Sequence, residues 1–432
     1  MLRLTRLLFR IRPHRAAWAV WALAVACAAT LPGGLGAQQA GAPPALRFGL
    51  TTEAVYSSNR GLDAPSQGGT FEYIARLDFG VTFATPVQQL EISGDFGLRH
   101  VTGAERGTLD TGLVEPNLAI RYARQSRDAE LSLALRSNEL DVSSASLEEV
   151  LGVPVPVLVT EEGTRRTTVF DTELDLRRRA PFGITLSAGF TGLRYSNTTS
   201  PTLSDQDRFR LKALLRLDLT PSMRATLDLG YSTFEDFGTA QGLRETYTLN
   251  GNLRQDLRNG DASFSFRATM TEDGERYTIG AGRSITTALW EVSGSVGLTR
   301  DIAGDVLPDA SLDLVRTLPA DGSLAARFSR RVASGVDDDE EQITSLSVTY
   351  AKQLTPLTSF NTSLTFSETN PTAAGSNSSS VGTLGVGLER TLAQGLQLNL
   401  GFQHRVTENV AGTRARDNRL SVSLRRDLSA RR

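Results

Sequence analysis

Histidine is the side chain best suited to general acid–base catalysis near neutral pH, and the chain contains three of them. His14 lies in an arginine-rich N-terminal segment, which leaves His100 and His404 as candidate bases. Both fall on the apolar side of a segment in which apolar and polar residues alternate. They are far apart in the sequence, and neither belongs to a recognisable nucleophile motif. We therefore expect no enzyme, with a lipid hydrolase as a minor alternative.

The densest run of carboxylates, residues 337–341, has the ligand type that hard divalent cations prefer. The run lacks the spacing of a defined calcium loop. We interpret it as a solvated surface loop, with cations that bridge it to lipopolysaccharide as the alternative. No cofactor or metal site is predicted.

The single cysteine, Cys27, lies in the apolar stretch Ala16–Leu31, which follows five arginines. A basic segment followed by an apolar one is typical of a secretory signal peptide. Gly36 and Ala37 offer small residues at a cleavage position, so the sequence predicts a signal peptide over 1–37. An uncleaved anchor and a lipoprotein acylated at Cys27 are the alternatives.

Cleavage after Ala37 removes the cysteine and five arginines, which leaves 41 basic residues against 48 acidic ones, a formal net charge of about −7. Disulfides and thiolate metal sites are then excluded. The acidic balance and the dispersed basic residues argue against nucleic acid as a partner.

The elements that would position these residues are strands, because apolar side chains recur at every second position. In residues 208–219, one face carries Phe209, Leu211, Ala213, Leu215, Leu217 and Leu219, and the other face carries Arg208, Arg210, Lys212, Arg216 and Asp218. No helix would separate these residues in this way. About twenty such segments run from Ala45 to Leu428.

Short and long connections between these segments alternate. The short ones are Thr85-Pro86, 126–128, 181–183, 220–222, 258–261, 319–322, Thr355-Pro356 and Gln394-Gly395. The long ones are 57–69, 101–112, 142–164, 196–206, 233–243, 333–342, 368–380 and 408–417. Tight periplasmic turns and longer external loops are typical of outer-membrane barrels.

With these features the chain resembles the Gram-negative outer-membrane β-barrels, in architecture and without a specific motif. The resemblance implies an all-β fold, a transmembrane antiparallel β-barrel of about 20 strands (18–20) with periplasmic termini. A periplasmic segment would cover 38–44 and the barrel 45–432. Aromatic residues would mark the membrane boundaries, Tyr56, Tyr73, Tyr195, Tyr231, Tyr247 and Tyr277 at the external side and Phe83, Tyr122, Trp290 and Tyr350 at the periplasmic side. A soluble β-solenoid or sandwich is the structural alternative.

In a barrel, the polar side of each strand would face the lumen, and this side carries both signs of charge. The basic members are Arg47, Arg76, Arg99, Arg121, Arg136, Arg177, Arg224, Arg244, Arg254, Arg267 and Arg327. The acidic members are Glu53, Glu72, Asp78, Glu91, Asp95, Glu130, Asp171, Glu173, Asp175, Asp228 and Glu291. Opposite charges on neighbouring strands can simply pair, but together they indicate a water-filled lumen.

The longest connection, 142–164, would be the third external loop. In the general porins, which the chain resembles here, that loop folds into the barrel and narrows it. The resemblance implies a constriction formed by Glu148, Glu149, Glu161 and Glu162 against Arg99, Arg136 and Arg177. Alternatively, the apolar run 153–159 extends a hairpin above the membrane.

The last predicted strand, Arg419 to Leu428, departs from the usual barrel ending, which is an aromatic residue read by the assembly machinery. The function expected from this architecture is a porin-like channel for passive diffusion of small hydrophilic solutes in the outer membrane. The alternative is a structural or export-accessory barrel, for example for surface polysaccharide, with an occluded lumen. Expected partners are outer-membrane lipids, lipopolysaccharide and the solutes, with a homo-oligomer as a further possibility.

If the third loop narrows the lumen, replacing Glu148 and Glu149 by alanine will change single-channel conductance or ion selectivity, because two fixed charges leave the narrowest point. The measurement is the current through the refolded protein in a planar bilayer. Identical traces from the variant and the parent chain would exclude a constriction at this loop.

Overall fold

The computed structural model describes residues 45–62, 64–103, 112–142, 163–198, 203–238, 242–319, 321–334, 340–371, 378–393, 395–409 and 411–428. The predicted signal peptide, the segment 38–44 and the four glutamates of the third loop lie outside these ranges. Within these ranges, no helix has the length and hydropathy needed to cross a membrane.

The described residues form twenty strands. They are β1 (Ala45–Ser57), β2 (Thr70–Ala84), β3 (Gln88–Gly103), β4 (Gly112–Gln125), β5 (Ala129–Asp141), β6 (Thr164–Leu176), β7 (Phe182–Ser196), β8 (Gln206–Thr220), β9 (Met223–Asp236), β10 (Leu243–Leu257), β11 (Gly260–Met270), β12 (Glu275–Thr286), β13 (Trp290–Arg300), β14 (Val306–Leu318), β15 (Gly322–Ser334), β16 (Glu340–Thr355), β17 (Thr358–Pro371), β18 (Ser379–Ala393), β19 (Leu396–Glu408) and β20 (Arg414–Asp427).

Each strand pairs antiparallel with its neighbours in sequence, and β1 also pairs with β20, so the sheet closes into a barrel. The predicted all-β barrel of about twenty strands is confirmed. Closure also explains why most apolar side chains of the described strands point outward, whereas a few inward ones, such as Val55, Val101 and Ile343, are buried near the loop end. Leu98 is 60% exposed and Val296 is 69% exposed on the outer face. An apolar outer wall of this kind is stable only in lipid, which excludes the soluble alternatives.

The two rims of the barrel differ. At one rim, here called the turn end, connections of two to five residues follow the even-numbered strands. At the other, the loop end, connections of four to 22 residues follow the odd-numbered strands, and the longest joins β5 to β6. Strand β1 begins at the turn end and β20 finishes there, as predicted for termini on the periplasmic side.

Several turns at the turn end are fixed by a hydroxyl group. The side-chain oxygens of Thr85, Ser126 and Thr287 each accept a hydrogen bond from the backbone N–H three residues later, at 3.0–3.1 Å. Such local bonds favour a turn without glycine or proline. The connection 287–289 has neither residue, which is why the sequence pattern did not reveal it.

Alternation of connection length therefore holds for the first half of the barrel and weakens from β11 onward. The loop-end connections 271–274, 301–305, 335–339 and 409–413 have four or five residues, no more than the longest turn. Glu340, from the carboxylate run, strengthens this region: it accepts a bond from the Ile302 backbone N–H at 3.0 Å and pairs with Arg276 at 3.2 Å. Asp337, Asp338 and Asp339 lie outside the described residues.

Aromatic side chains on the outer face mark both rims. Tyr73 and Tyr247 are about half exposed near the loop end, and Phe83 is similarly exposed near the turn end. Tyr195 is an exception to the prediction. It lies opposite Arg165 on the inward face and interacts with that guanidinium, because the register of β6 and β7 places both side chains inside.

The seam between β1 and β20 is held at the loop end by Asp417 of β20. Its carboxylate accepts bonds from the Ser57 hydroxyl at 2.8 Å, the Ser58 hydroxyl at 3.2 Å and the Asn59 backbone N–H at 2.9 Å. These groups are nearly 360 residues away in sequence. One side chain therefore joins the two ends of the barrel wall.

Replacing Asp417 by alanine removes the acceptor of all three bonds and leaves partly buried donors unpaired. We expect the free energy of unfolding to fall by about 1–3 kcal/mol. Urea unfolding in lipid vesicles, followed by circular dichroism, measures the change.

The matched control is Asp256→Ala at the turn end, because among the described residues the Asp256 carboxylate makes only an exposed pair with Arg254 at 3.3 Å, and such pairs contribute about 0–1 kcal/mol. Equal losses in the two variants would contradict the role of Asp417 at the seam.

Candidate functional site

The candidate site is the inward face of the barrel. Pairing register places the predicted lumen charges on this face, since directly opposed residues such as Gly49 and Asp78 or Asn250 and Arg267 share a side of the sheet. Arg177 is the exception. It lies in the β6–β7 turn with positive φ, and its guanidinium stacks 4.4 Å from the ring centre of Phe182.

On β2–β4 the inward charges form a compact network. Arg76 pairs with Asp95 at 2.7 Å and also with Glu115, and Asn117 donates to Asp95 at 3.1 Å. Glu115 adopts positive φ at a bulge where the β3–β4 register shifts. Bulges often re-aim a side chain, and this one directs Glu115 towards Arg76 and Arg99, which lies 4.0 Å away.

Between β8 and β11, ion pairs cross from strand to strand. Lys212 reaches Asp228 at 2.8 Å, and Arg254 reaches Asp261 at 2.9 Å. Arg210 lies 3.5 Å from Asp171 on β6, two strands away. Rows of opposite charge therefore line this half of the lumen, which we call the charged wall (the inward faces of β1–β10).

The opposite side of the lumen is lined mainly by small hydroxyl groups. A row of serines runs directly across five adjacent strands: Ser295, Ser311, Ser329, Ser345 and Ser367. Within it, the hydroxyls of Ser295 and Ser311 and those of Ser329 and Ser345 are 2.7 Å apart. We call the inward faces of β13–β18 the hydroxyl wall; the ion pair of Asp313 and Arg327 is one of its few charged features.

Solvent reaches the inward face on both sides. The side chains of Arg47, Lys212 and Arg327 are 67%, 50% and 75% exposed, although all three point into the barrel. Ion pairs in such surroundings are solvated and contribute little to stability. Their charges therefore act mainly on the water and solutes that occupy the lumen.

The three described residues of the predicted constriction, Arg99, Arg136 and Arg177, are not gathered in one place. Arg99 is buried near the loop end, close to Glu115. Arg136 is an exposed inward side chain of β5, opposite Ala119 and Val169. Arg177 lies at the turn end, the opposite rim from the connection 142–164, and so is not part of a constriction there. Glu148, Glu149, Glu161 and Glu162 lie outside the described residues, so their part remains a prediction.

The two candidate histidines are closer together than their sequence positions indicate. They lie on β3 and β19, sixteen strands apart in sequence order, but closure leaves them four strands apart, roughly 19 Å along the wall. Both face outward near the loop end, and His404 Nδ1 lies 2.8 Å from the side-chain oxygen of Asn418.

A cluster that the sequence did not reveal lies on β8, β9 and β10. Arg208 and Arg244 both lie directly opposite Phe234 and lie over its ring, with guanidinium carbons 5.4 and 4.7 Å from the ring centre. The sequence contained the alternation that turns each residue inward. It did not contain the register that aligns the three strands.

No protein-family model matches the chain, and no curated protein matches it. Solved structures do. A ferric enterobactin receptor from Pseudomonas aeruginosa has a TM-score of 0.52 at 10% identity, over 90% of this chain and 82% of its own. The siderophore receptor PirA from Pseudomonas aeruginosa has a TM-score of 0.50 at 12% identity, over 88% and 80%. A BenF-like porin from Pseudomonas fluorescens has a TM-score of 0.47 at 11% identity, over 90% and 99%.

At these identities the similarity concerns the fold alone. The closed sheet, the apolar outer wall and the polar inward face, together with the fold similarity to the two receptors, define the class: the protein is a transmembrane β-barrel of the outer-membrane type. Its place is the outer membrane, where barrels of this architecture are found.

The inward orientation of the serine row can be tested by cysteine accessibility in a chain with Cys27→Ser. Ser311→Cys is expected to react with a charged, membrane-impermeant methanethiosulfonate in lipid vesicles, because it faces water. Leu312→Cys, its neighbour on the outer face, is expected to stay unreactive in lipid. Equal labelling of both, or labelling of position 312 alone, would contradict the assignment of faces.

Proposed function

We propose that the protein is a porin-like pore through which small hydrophilic solutes diffuse passively. The observation that carries the proposal is the solvent exposure of inward charges such as Arg47, Arg121 and Arg327 inside a closed twenty-stranded wall. A lumen that admits water around its charged groups provides a polar path across the membrane.

Barrel size supports an open path. Barrels of 16–18 strands already leave an aqueous channel, whereas 22-stranded transporters enclose a plug. Every described residue belongs to the wall or to a connection between neighbouring strands. The described part of the chain thus contains wall and rims, and a barrel of this width has room for water beside its exposed inward charges.

The charged wall supports a preference for polar solutes. Arg76, Lys212 and Arg254 face carboxylates on adjacent strands, and such pairs create a field across the lumen that orients water and dipolar solutes. Apolar solutes of similar size would displace this water without replacing its hydrogen bonds, so the pore favours hydrophilic ones.

We propose no chemical reaction for the barrel. His100 and His404 face lipid near the loop end, where contact with headgroups is their simplest role. The same rim carries Glu245, whose carboxylate accepts bonds from Tyr231 at 2.9 Å and Tyr247 at 3.2 Å. Such amphipathic tyrosines suit the membrane boundary, which supports lipopolysaccharide and outer-leaflet lipids as partners.

A second candidate function is passage of a surface polysaccharide during export. The hydroxyl wall favours it, because closely spaced serines such as Ser311 and Ser329 offer neutral donors and acceptors to a polyhydroxylated chain. The export-accessory barrel expected from the sequence as the alternative has an occluded lumen, whereas glycan passage needs the same open lumen as solute uptake and differs in the molecule that occupies it.

Purified, refolded protein in a planar bilayer is expected to give stable open-channel steps in potassium chloride. Ser329→Trp should lower the step size, because a large ring replaces a hydroxyl on the inward face. Phe328→Trp is the matched control on the outer face and should leave the step size unchanged. Absence of stable steps from the folded parent barrel would overturn the pore, and equal effects of the two tryptophans would refute the path along the hydroxyl wall.

A further inference from the structure

The strongest unexplained feature of the lumen is the arginine cluster around Phe234. Arg208, Phe234 and Arg244 occupy one row across β8, β9 and β10 near the loop end. Their separations, 5.4 and 4.7 Å from guanidinium carbon to ring centre, are within the range of cation–π contacts. One aromatic ring thus holds two cations inside the mouth of the barrel.

A third cation lies beside them. Arg210 follows Arg208 on the same face of β8, and the charges of both Arg210 and Arg244 act on Arg208. Like charges at such distances repel. The arrangement is therefore unfavourable unless negative charge compensates for it.

Two carboxylates near the cluster have partners other than Arg208. Asp171 lies beside Arg210 at 3.5 Å. Asp236 accepts bonds from the Ser204 hydroxyl, the Gln206 amide and the Gly238 backbone N–H. Within the described part of the chain, Arg208 has no carboxylate partner, although its side chain is exposed to the lumen.

Other inward arginines show the contrast. Arg76 contacts two carboxylates, and Arg224 and Arg254 each reach an aspartate within 3 Å. The wall can therefore neutralise its cations, and it does not do so at Arg208. Arg208 is held on a ring, is accessible to water and has no acidic partner among the described residues, so it is suited to bind an anion from solution.

We propose that Arg208, with Arg210 and Arg244, forms a binding site for a small oxyanion, a carboxylate or phosphate group on a solute that enters from the loop end. Guanidinium groups match such oxygens with paired N–H donors. Phe234 orients the two guanidiniums by stacking, which leaves the N–H edge of Arg208 available. The effect of this site on transport rests on the proposed pore, whereas the binding of the anion does not.

The site predicts which solutes the pore favours. Anionic solutes that carry a carboxylate or phosphate group are concentrated at the mouth, whereas neutral solutes pass without this attraction. Screening by salt weakens the effect, because the Debye length falls from about 10 Å at 0.1 M to about 3 Å at 1 M.

The first experiment measures binding without relying on conductance. Inorganic phosphate is titrated into the purified, refolded chain in detergent and followed by phosphorus NMR. Arg208→Gln should weaken phosphate binding by about tenfold, as loss of one charge-assisted contact implies. Arg208→Lys should weaken it less, because it keeps the charge and loses the planar fork. Gel mobility of the unheated protein verifies that each variant is folded.

The matched control is Arg136→Gln on β5, which removes an exposed inward arginine outside the cluster. It should change phosphate binding by less than about twofold, since the site needs the grouped cations. Failure of the parent barrel to bind phosphate would overturn the proposal. An equal loss of phosphate binding in the two glutamine variants would also overturn it, because the general positive charge of the lumen would then be sufficient for binding.

The second experiment applies phosphate to the loop side of the protein in a planar bilayer. The expected result is a concentration-dependent reduction of chloride current in the parent and a weaker one in Arg208→Gln. Phosphate binding without any channel steps would refute the pore and leave the site standing. Stable steps without phosphate binding would refute the site and leave the pore standing.

Discussion

Backbone hydrogen bonding in hydrocarbon is the constraint on which the rest of this structure depends. An N–H or C=O left unpaired in lipid costs several kcal/mol, so a sheet can cross the membrane only if its first and last strands meet. Here β1 and β20 supply that pairing, and Asp417 reinforces it at one rim. Closure then dictates that apolar side chains face lipid and that the many charged residues share an interior.

The interior that results is uneven. Along β1–β10 it carries charges that pair across strands, as between Lys212 and Asp228. Along β13–β18 it is mostly serine, threonine and glycine, and the serine row across five strands is its most regular part. A solute in transit meets fixed charge on one side and neutral hydrogen-bonding groups on the other, and the two sides impose different requirements on it.

Much of the fold could be predicted because each strand encodes its own two faces. The alternation in residues 208–219 indicates which side chains share a side, whichever strands lie next to it. Register and closure are different, because they depend on pairing partners that the local pattern does not name. The alignment of Arg208 with Phe234, the inward position of Tyr195 and the four-strand separation of the histidines all depend on them. The turn at 287–289 was missed because it contains neither glycine nor proline, and Arg177 was misplaced because β6 ends before it, several residues ahead of the Pro181 that marks the turn in the sequence.

The hydroxyl wall also makes this barrel a favourable starting point for engineering. Ser311, Ser329 and Ser345 carry no charge, and their side chains are among the smallest that can line a lumen. Their size can be altered stepwise while the ion pairs of the charged wall stay in place. In a lumen whose narrowest groups are also its charged ones, a change in aperture also changes the electrostatic character. In this barrel the two properties can be varied independently.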